Sequence, residues 1–324
     1  MNPPIHIAII GAGMAGAVLA HELRGVAGIR LTVFDKSRGI GGRMSTRYGE
    51  HDEYDHGAQF FTARSKPFQS LLATLSASNV VTSWEPKVVT LEKQRKPYKR
   101  LWFEPHYVAT PRMNDMCKHL LQGIDVHHGV KIDTVTSDQN QHHLTDDKGT
   151  GYGPFDWLIA TAPAEQTTSL IPASATDLGQ VQFAPCFALM VPWHTELPNW
   201  HAATIKDNCL AWLCFNQTKP GRTHKPTLLV HSRGDWAEQN LRRPIAAVKS
   251  DMLDRLTEFV TIADGTETAI HRWRYAQTSQ PLNQPFWLLA EQRLAACGDW
   301  CLGSTVEDAF RSASALATHL KQLL

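Results

Sequence analysis

The feature that most constrains this 324-residue chain is an apolar run, Ile5-His-Ile-Ala-Ile-Ile10, that feeds directly into Gly11-Ala-Gly13-Met-Ala-Gly16. A continuous apolar run suits a parallel strand buried on both faces. Glycines at those three positions let a strand turn tightly into a helix and let backbone approach a pyrophosphate. The opening N–H groups of that helix, which have no intrahelical partner, then face the phosphates. Val18, Leu19 and Leu23 fall at helical spacing behind the turn, and Leu31 to Phe34 supplies a second strand, completing a β-α-β unit. Asp35 follows, where an acid accepts hydrogen bonds from a ribose diol. Arg38-Gly-Ile-Gly-Gly42-Arg43 comes next. Its glycine pair permits another close backbone approach, and Arg43 offers a planar donor fork to a pyrophosphate. A nicotinamide-binding domain does not need this second cluster. The pattern predicts non-covalent FAD, held through Gly11, Gly13, Met14, Ala15, Gly16, Asp35, Lys36, Gly42 and Arg43.

The rest of the chain alternates between two textures. Phe68, Leu71, Leu72 and Leu75 give residues 64–78 a helical stripe, and Pro111 to Leu121 predicts a helix opened by proline. Val80 to Phe103 breaks into short β-branched and aromatic runs (Val80 to Trp84, Lys87 to Leu91, Arg100 to Phe103), as antiparallel hairpins do. Val126 to Val135, His143 to Thr145 and Phe155 to Ala160 predict strands, the last leading through Pro163 into a helix. Residues 183–191, 209–215 and 227–232 predict a second sheet, with a helix over Pro244 to Val260. Leu294 to Cys297 returns to the first texture, before a final amphipathic helix from Val306 to Leu320. The predicted class is α/β. A Rossmann-like FAD-binding domain takes residues 1–78, 108–165 and 270–324; an interleaved mixed or antiparallel sheet domain, 79–107 and 166–269, caps the substrate side.

Composition closes off several function classes. Basic residues number 32 and acidic residues 31, so the total carries no electrostatic footprint for nucleic acid or an anionic membrane. The basic stretch Lys93 to Arg100 is a solvated hairpin or loop. Six cysteines without a Cys-x-x-Cys pair predict reduced, packed thiols in a cytoplasmic protein. No apolar stretch is long enough to span a bilayer, and Ile5 to Ile10 lacks the basic flank of a signal peptide. His127-His128 and His142-His143 lack ligand spacing, so no metal is expected. A monomer is the default.

Near the C-terminus, Cys297-Gly298-Asp299-Trp300 precedes Gly303-Ser-Thr305-Val306. Asp299 has the chemistry to bind a ribityl hydroxyl, or simply to cap a helix. A helix starting near Thr305 and Val306 aims N–H groups and its positive end at the flavin N1–C2=O edge, where charge develops on reduction. These blocks resemble the renalase family, particularly its bacterial members, over essentially the whole chain. Carrying the resemblance with them are Asp35 to Thr46, Asp55-His-Gly57-Ala58-Gln59-Phe60-Phe61-Thr62, Ile159 to Pro163, His231 with Trp236, and Arg272-Trp273-Arg-Tyr275-Ala276.

The resemblance implies a p-hydroxybenzoate-hydroxylase-like FAD domain beneath the capping sheet, with Gly57, Ala58, Gln59 and Val130 adding cofactor contacts. It implies oxidation of the 2- and 6-dihydro isomers of NAD(P)H to NAD(P)+ by hydride transfer to flavin N5. Reoxidation by O2 then gives hydrogen peroxide, a metabolite-repair activity. Gln59, Phe60 and Phe61 would line the substrate face, and Phe187, His231, Trp273 and Tyr275 would descend from the capping sheet. The aromatics have sheet core as their other reading, and His231 is either a satisfied buried histidine or a donor to the carboxamide. Aromatisation supplies the driving force, so no side chain is assigned proton transfer. An amine or polyamine oxidase and a non-catalytic flavin redox sensor are the alternatives.

Overall fold

The computed structural model describes residues 3–50, 52–100 and 104–324. Its first layer is a six-stranded sheet in the spatial order Trp287–Leu289, Leu294–Ala296, Trp157–Ala160, Ile5–Ile10, Ile29–Asp35, Asp125–His128. All neighbours run parallel except the edge strand Trp287–Leu289. Ile7, Ala8 and Ile9 are fully buried because both faces of the sheet are covered. On one face lie the helices Met14–Leu23, Asp115–Leu120 and Val306–Leu323. On the other, a three-stranded antiparallel sheet (Ile132–Asp138, Gln141–Asp146, Gly151–Phe155) closes a second core around Phe34, Phe155 and Trp300.

The second layer is a seven-stranded sheet in the order Ala269–Gln280, Gln182–Pro192, Thr227–Ser232, Leu210–Phe215, Ala202–Lys206, Val88–Glu92, Tyr98–Lys99. Its alternation divides two faces. Phe187, Leu189, Val191, Leu228 and Val230 pack outward against Val248, Met252 and Leu256 of the helix Ile245–Leu256. Ala188, Met190, Leu229 and Trp273 form the opposite face, which meets Tyr54.

Several boundaries differ from expectation, each for a local reason. The run from Val126 to Val135 is split between two sheets by Gly129, whose φ of +64° turns the chain. The helix expected from Pro111 starts only at Asp115, and the Met113 N–H before it is donated to the Asp55 carboxylate. Residues 270–280, expected with the cofactor domain, belong instead to the edge strand Ala269–Gln280 of the capping sheet, in register with Gln182–Pro192. Val81–Trp84 pairs with His106–Ala109 in a small sheet of its own. Of the strand expected over Arg100 to Phe103, residues 101–103 lie outside the described residues. Among the described residues no helix is long and apolar enough to cross a membrane, and no group of three or more His, Cys, Asp or Glu is placed to hold a metal.

Candidate active site

Two glycine loops close on each other at the C-terminal end of the parallel sheet. Gly11 has a φ of +119°, and its N–H reaches the Phe34 carbonyl at 2.7 Å. Gly41 (φ +125°) donates its N–H to the Ala12 carbonyl and bridges to Gly13. The glycines are needed for different reasons. A methyl on Gly16 would be driven into the Gly11 carbonyl oxygen, so Gly16 serves the packing of helix on turn. A methyl on Gly13 would meet nothing in the protein nearer than Gly42 Cα at 3.8 Å. That face of the turn is open, as a backbone cradle for a pyrophosphate must be. Met14, Ala15 and Gly16 open the helix behind it.

Asp35 is buried beside this cradle, its carboxylate accepting from the Ala12 and Ser37 N–H groups, each at 2.7 Å. It therefore fixes the first glycine turn. Val130 caps the same strand end by donating its N–H to the Asp35 carbonyl. Lys36 reaches outward to Gln166 Oε1 at 2.9 Å.

Arg43 and Asp299 were expected to hold separate parts of a cofactor, and here they hold each other. Arg43 Nη1 and Nη2 donate to the two Asp299 oxygens at 2.8 and 2.5 Å, a bidentate ion pair. The pair ties the second glycine loop, which carries Gly42, to the turn before the last helix. Thr305 is the N-cap of the last helix, as expected of a helix starting near it. Its hydroxyl and its N–H are both engaged by Asp308 in a capping box, so its side chain is committed to starting the helix. Val306 is the first residue of that helix.

Gly57 backs onto Arg43: a methyl there would collide with the Arg43 carbonyl, which accepts the Ala58 N–H at 2.8 Å. Gln59 is buried and donates from Nε2 to the Asp55 carbonyl at 2.5 Å and the Gly57 carbonyl at 2.9 Å. Its Oε1 accepts from Lys219 Nζ at 3.2 Å. Lys219 is 1 % exposed and also contacts Asn216 Oδ1 and the Asp55 carboxylate. Arg222 adds a 2.7 Å ion pair to the same carboxylate, and Thr46 donates to its other oxygen. Burial alone would push the Asp55 carboxyl up; Lys219 and Arg222 outweigh it and hold it well below the usual carboxylate range. Burial pulls the Lys219 ammonium down against the attraction of Asp55.

This network was not anticipated beyond Gln59. Its signal in the sequence is Lys219-Pro-Gly-Arg222, with three residues between it and the end of an apolar strand.

The inner face of the capping sheet carries His231 and Trp273. His231 Nε2 lies 3.2 Å from the His56 carbonyl, and Trp273 Nε1 donates to the same oxygen at 2.9 Å. His271 joins them, its ring 4.3 Å from Trp273 and 5.0 Å from His56. Phe60 sits against His106 at 4.5 Å and Trp212 at 5.9 Å. Tyr275, two residues from Trp273 on the same strand, turns to Phe183 at 5.4 Å.

Two expected substrate contacts are corrected. Phe187 is fully buried on the opposite face of the sheet, edge-on to Trp236 and beneath the Arg272 guanidinium, because strand alternation sends it outward. Phe61 is 4 % exposed and packs on Phe68 and Tyr107 in the cofactor-side core.

Burial pulls three of these imidazoles far down: His56 to about 3, with His271 adding to the effect, and His231 and His106 to about 4. All are neutral at pH 7. Protonation then favours the unfolded chain, whose histidines titrate near 6.5, so stability falls as pH drops below 6.5 toward 4. Thermal melts should show this loss, with His231 contributing about 1–2 kcal/mol at pH 5. His231→Asn should flatten the slope. An unchanged slope would show that His231 is already charged or solvated.

Fold and site together define a flavin-dependent oxidoreductase: a dinucleotide cradle, a second glycine–arginine loop, and a sheet laid over them. The chain matches the description "NAD(P)-binding Rossmann-like domain" over residues 9–75 and "Flavin containing amine oxidoreductase" over residues 104–320. It belongs to the flavin-containing amine oxidoreductase family. Among curated proteins it is similar to renalase of Mus musculus, at 22% identity over 98% of this chain and 99% of that one. Among solved structures it resembles a protein from Exiguobacterium sp. 255-15 provisionally described as a protoporphyrinogen oxidase, with TM-score 0.75, 9% identity and 99% of each chain covered. A cofactor-binding redesign of putrescine oxidase gives TM-score 0.73 at 12% identity, over 99% of this chain and 100% of that one. At these identities the structures share the fold.

Proposed function

We propose that this protein is an FAD-dependent oxidase that returns the 2- and 6-dihydro isomers of NAD(P)H to NAD(P)+. Bound FAD supplies the two-electron acceptor and passes the electrons to O2, giving hydrogen peroxide. The observation that carries the reading over an amine oxidase is the charge balance of the site. On the capping side and at the second glycine loop the buried carboxylates are already paired with cations: Glu53 with Arg112, Asp55 with Lys219 and Arg222, and Asp299 with Arg43. Two cations share Asp55, and the neighbouring imidazoles are neutral. Such a pocket disfavours an ammonium ligand and suits a flat ring carried on a phosphorylated arm. The end-to-end similarity to renalase supports the same choice.

In this reading Trp273 and His231 form a wall against which a dihydropyridine is aligned, since such a transfer depends on alignment more than on a base. The Arg43–Asp299 pair and the glycine loops seat the cofactor. Non-covalent attachment is supported by the cysteines nearest the last glycine turn: burial raises the Cys297 thiol well above its ordinary value and pushes Cys301 up to about 12, so neither is a ready thiolate.

Anaerobic mixing tests the reading. The isomeric dihydronicotinamides should bleach the flavin absorbance within seconds, while spermine and phenethylamine leave it oxidised. Bleaching by an amine but by neither isomer would overturn it.

A further inference from the structure

We propose that an arginine-lined groove at the edge of the capping sheet binds the phosphorylated, adenylate-bearing arm of a dinucleotide substrate. This rests on the dihydro-NAD(P) reading and adds a second site to it. The groove measures about 650 Å³ and is lined by Arg242, Arg243, Pro244, Ile245, Ile270, His271, Arg272 and Arg274. Four arginines therefore line it from two segments, the turn before the helix Ile245–Leu256 and the edge strand Ala269–Gln280.

Three observations point to a phosphorylated ligand. First, the charge is only partly answered within the protein. Arg243 pairs with Asp251 at 2.7 Å and Arg272 donates to the Arg243 carbonyl, but Arg272 Nε is buried without a hydrogen-bond partner among the described residues. Arg242 and Arg274 stand exposed. Second, Pro244 caps a twelve-residue helix whose opening turn contributes Ile245 to the groove, adding the positive end of a helix to the cations. Third, the floor is apolar. Ile245 is 39% exposed and Ile270 lies beside it, a surface on which a base can lie.

The groove also adjoins the wall described above. His271, one of its lining residues, meets Trp273 edge-on at 4.3 Å. Arg272 alternates with Trp273 and lies over Phe187 on the other face of this edge strand, so a ligand that spans wall and groove passes round the sheet edge beside His271. The arm of a ring held at Trp273 thus reaches the groove arginines round that edge.

The test is the double charge reversal Arg242→Glu/Arg274→Glu in the flavin-loaded protein, read by titration calorimetry with NADP+ and, as the armless control, nicotinamide mononucleotide. Flavin content and melting temperature check that the variant is folded. The native protein should bind NADP+ more weakly as salt is raised, and the variant should bind it at least ~10-fold more weakly. Mononucleotide binding should be unchanged between the two. Equal NADP+ affinity in both proteins, or no binding to the native protein at low salt, overturns the groove. The flavin bleaching of the native protein by the dihydro isomers is read separately and decides the donor. Bleaching with an unchanged NADP+ affinity would therefore reject the groove alone.

Discussion

Gly13→Val should yield a folded protein that purifies colourless, whereas Gly16→Ala should fold with a sharply lowered melting temperature. The two glycines belong to one six-residue motif, yet the structure assigns them different neighbours. A Cβ at Gly13, where φ is −79°, meets no protein atom closer than 3.8 Å, so branching there starts from an unstrained position. What it obstructs is the open face of the turn, where a pyrophosphate would approach the backbone. Flavin affinity should fall by ~100-fold or more, the scale of a lost set of charge-assisted contacts. At Gly16 even one methyl strikes the Gly11 carbonyl oxygen and comes within 2.9 Å of Thr161 Oγ1. Neither helix nor turn can withdraw, since both lie in the buried core with Ala15, Ala17 and Ile9. Overpacking of this kind costs about 1–3 kcal/mol or more. Flavin content by absorbance and melting temperature separate the cases. A yellow Gly13→Val protein of native flavin affinity would show that the cradle is not where the cofactor lies.

The contrast also marks how far the amino-acid sequence could be read. The β-α-β unit was legible because its signals are local: an unbroken apolar run, three spaced glycines and a helical stripe determine one another within thirty residues. The edge strand Ala269–Gln280 was assigned to the wrong layer because its partner, Gln182–Pro192, lies some ninety residues away and pairing partners leave no local trace. Phe187 was misplaced for a related reason. Its alternation with Ala188 and Leu189 shows that the strand has two faces, but not which of them looks toward the cofactor. Arg43 and Asp299 were each recognised as site residues, and their mutual pairing was hidden by the 256 residues between them. The least legible feature was the Asp55 network. Its members come from residues 46, 55, 59, 113, 216, 219 and 222, and a lysine in a turn ordinarily points to solvent.

That network sets the second large effect. Asp55→Ala should destabilise the protein by about 3–5 kcal/mol, because it strands two buried cations with no carboxylate between them. Lys219 has no exposed side-chain surface and Arg222 only 3 %. Arg222 would keep the Ala109 and Pro220 carbonyls, and Lys219 would keep Gln59 Oε1 and Asn216 Oδ1, but neither set supplies a counter-charge. Lys219→Met is the opposite case. It removes the cation that burial already disfavours and leaves Asp55 in its 2.7 Å pair with Arg222 and its bond to Thr46, so the loss should stay near ~1 kcal/mol. Combining Asp55→Ala with Lys219→Met should then recover part of what Asp55→Ala alone loses, a non-additivity expected of residues in one network. Melting temperature should show it directly, at about 1.5 °C per kcal/mol for a chain of this length. Losses of equal size for the two single variants, summing in the double, would mean that Asp55 and Lys219 act independently. The excess positive charge assigned to this pocket, and with it the argument against an ammonium substrate, would then have to be given up.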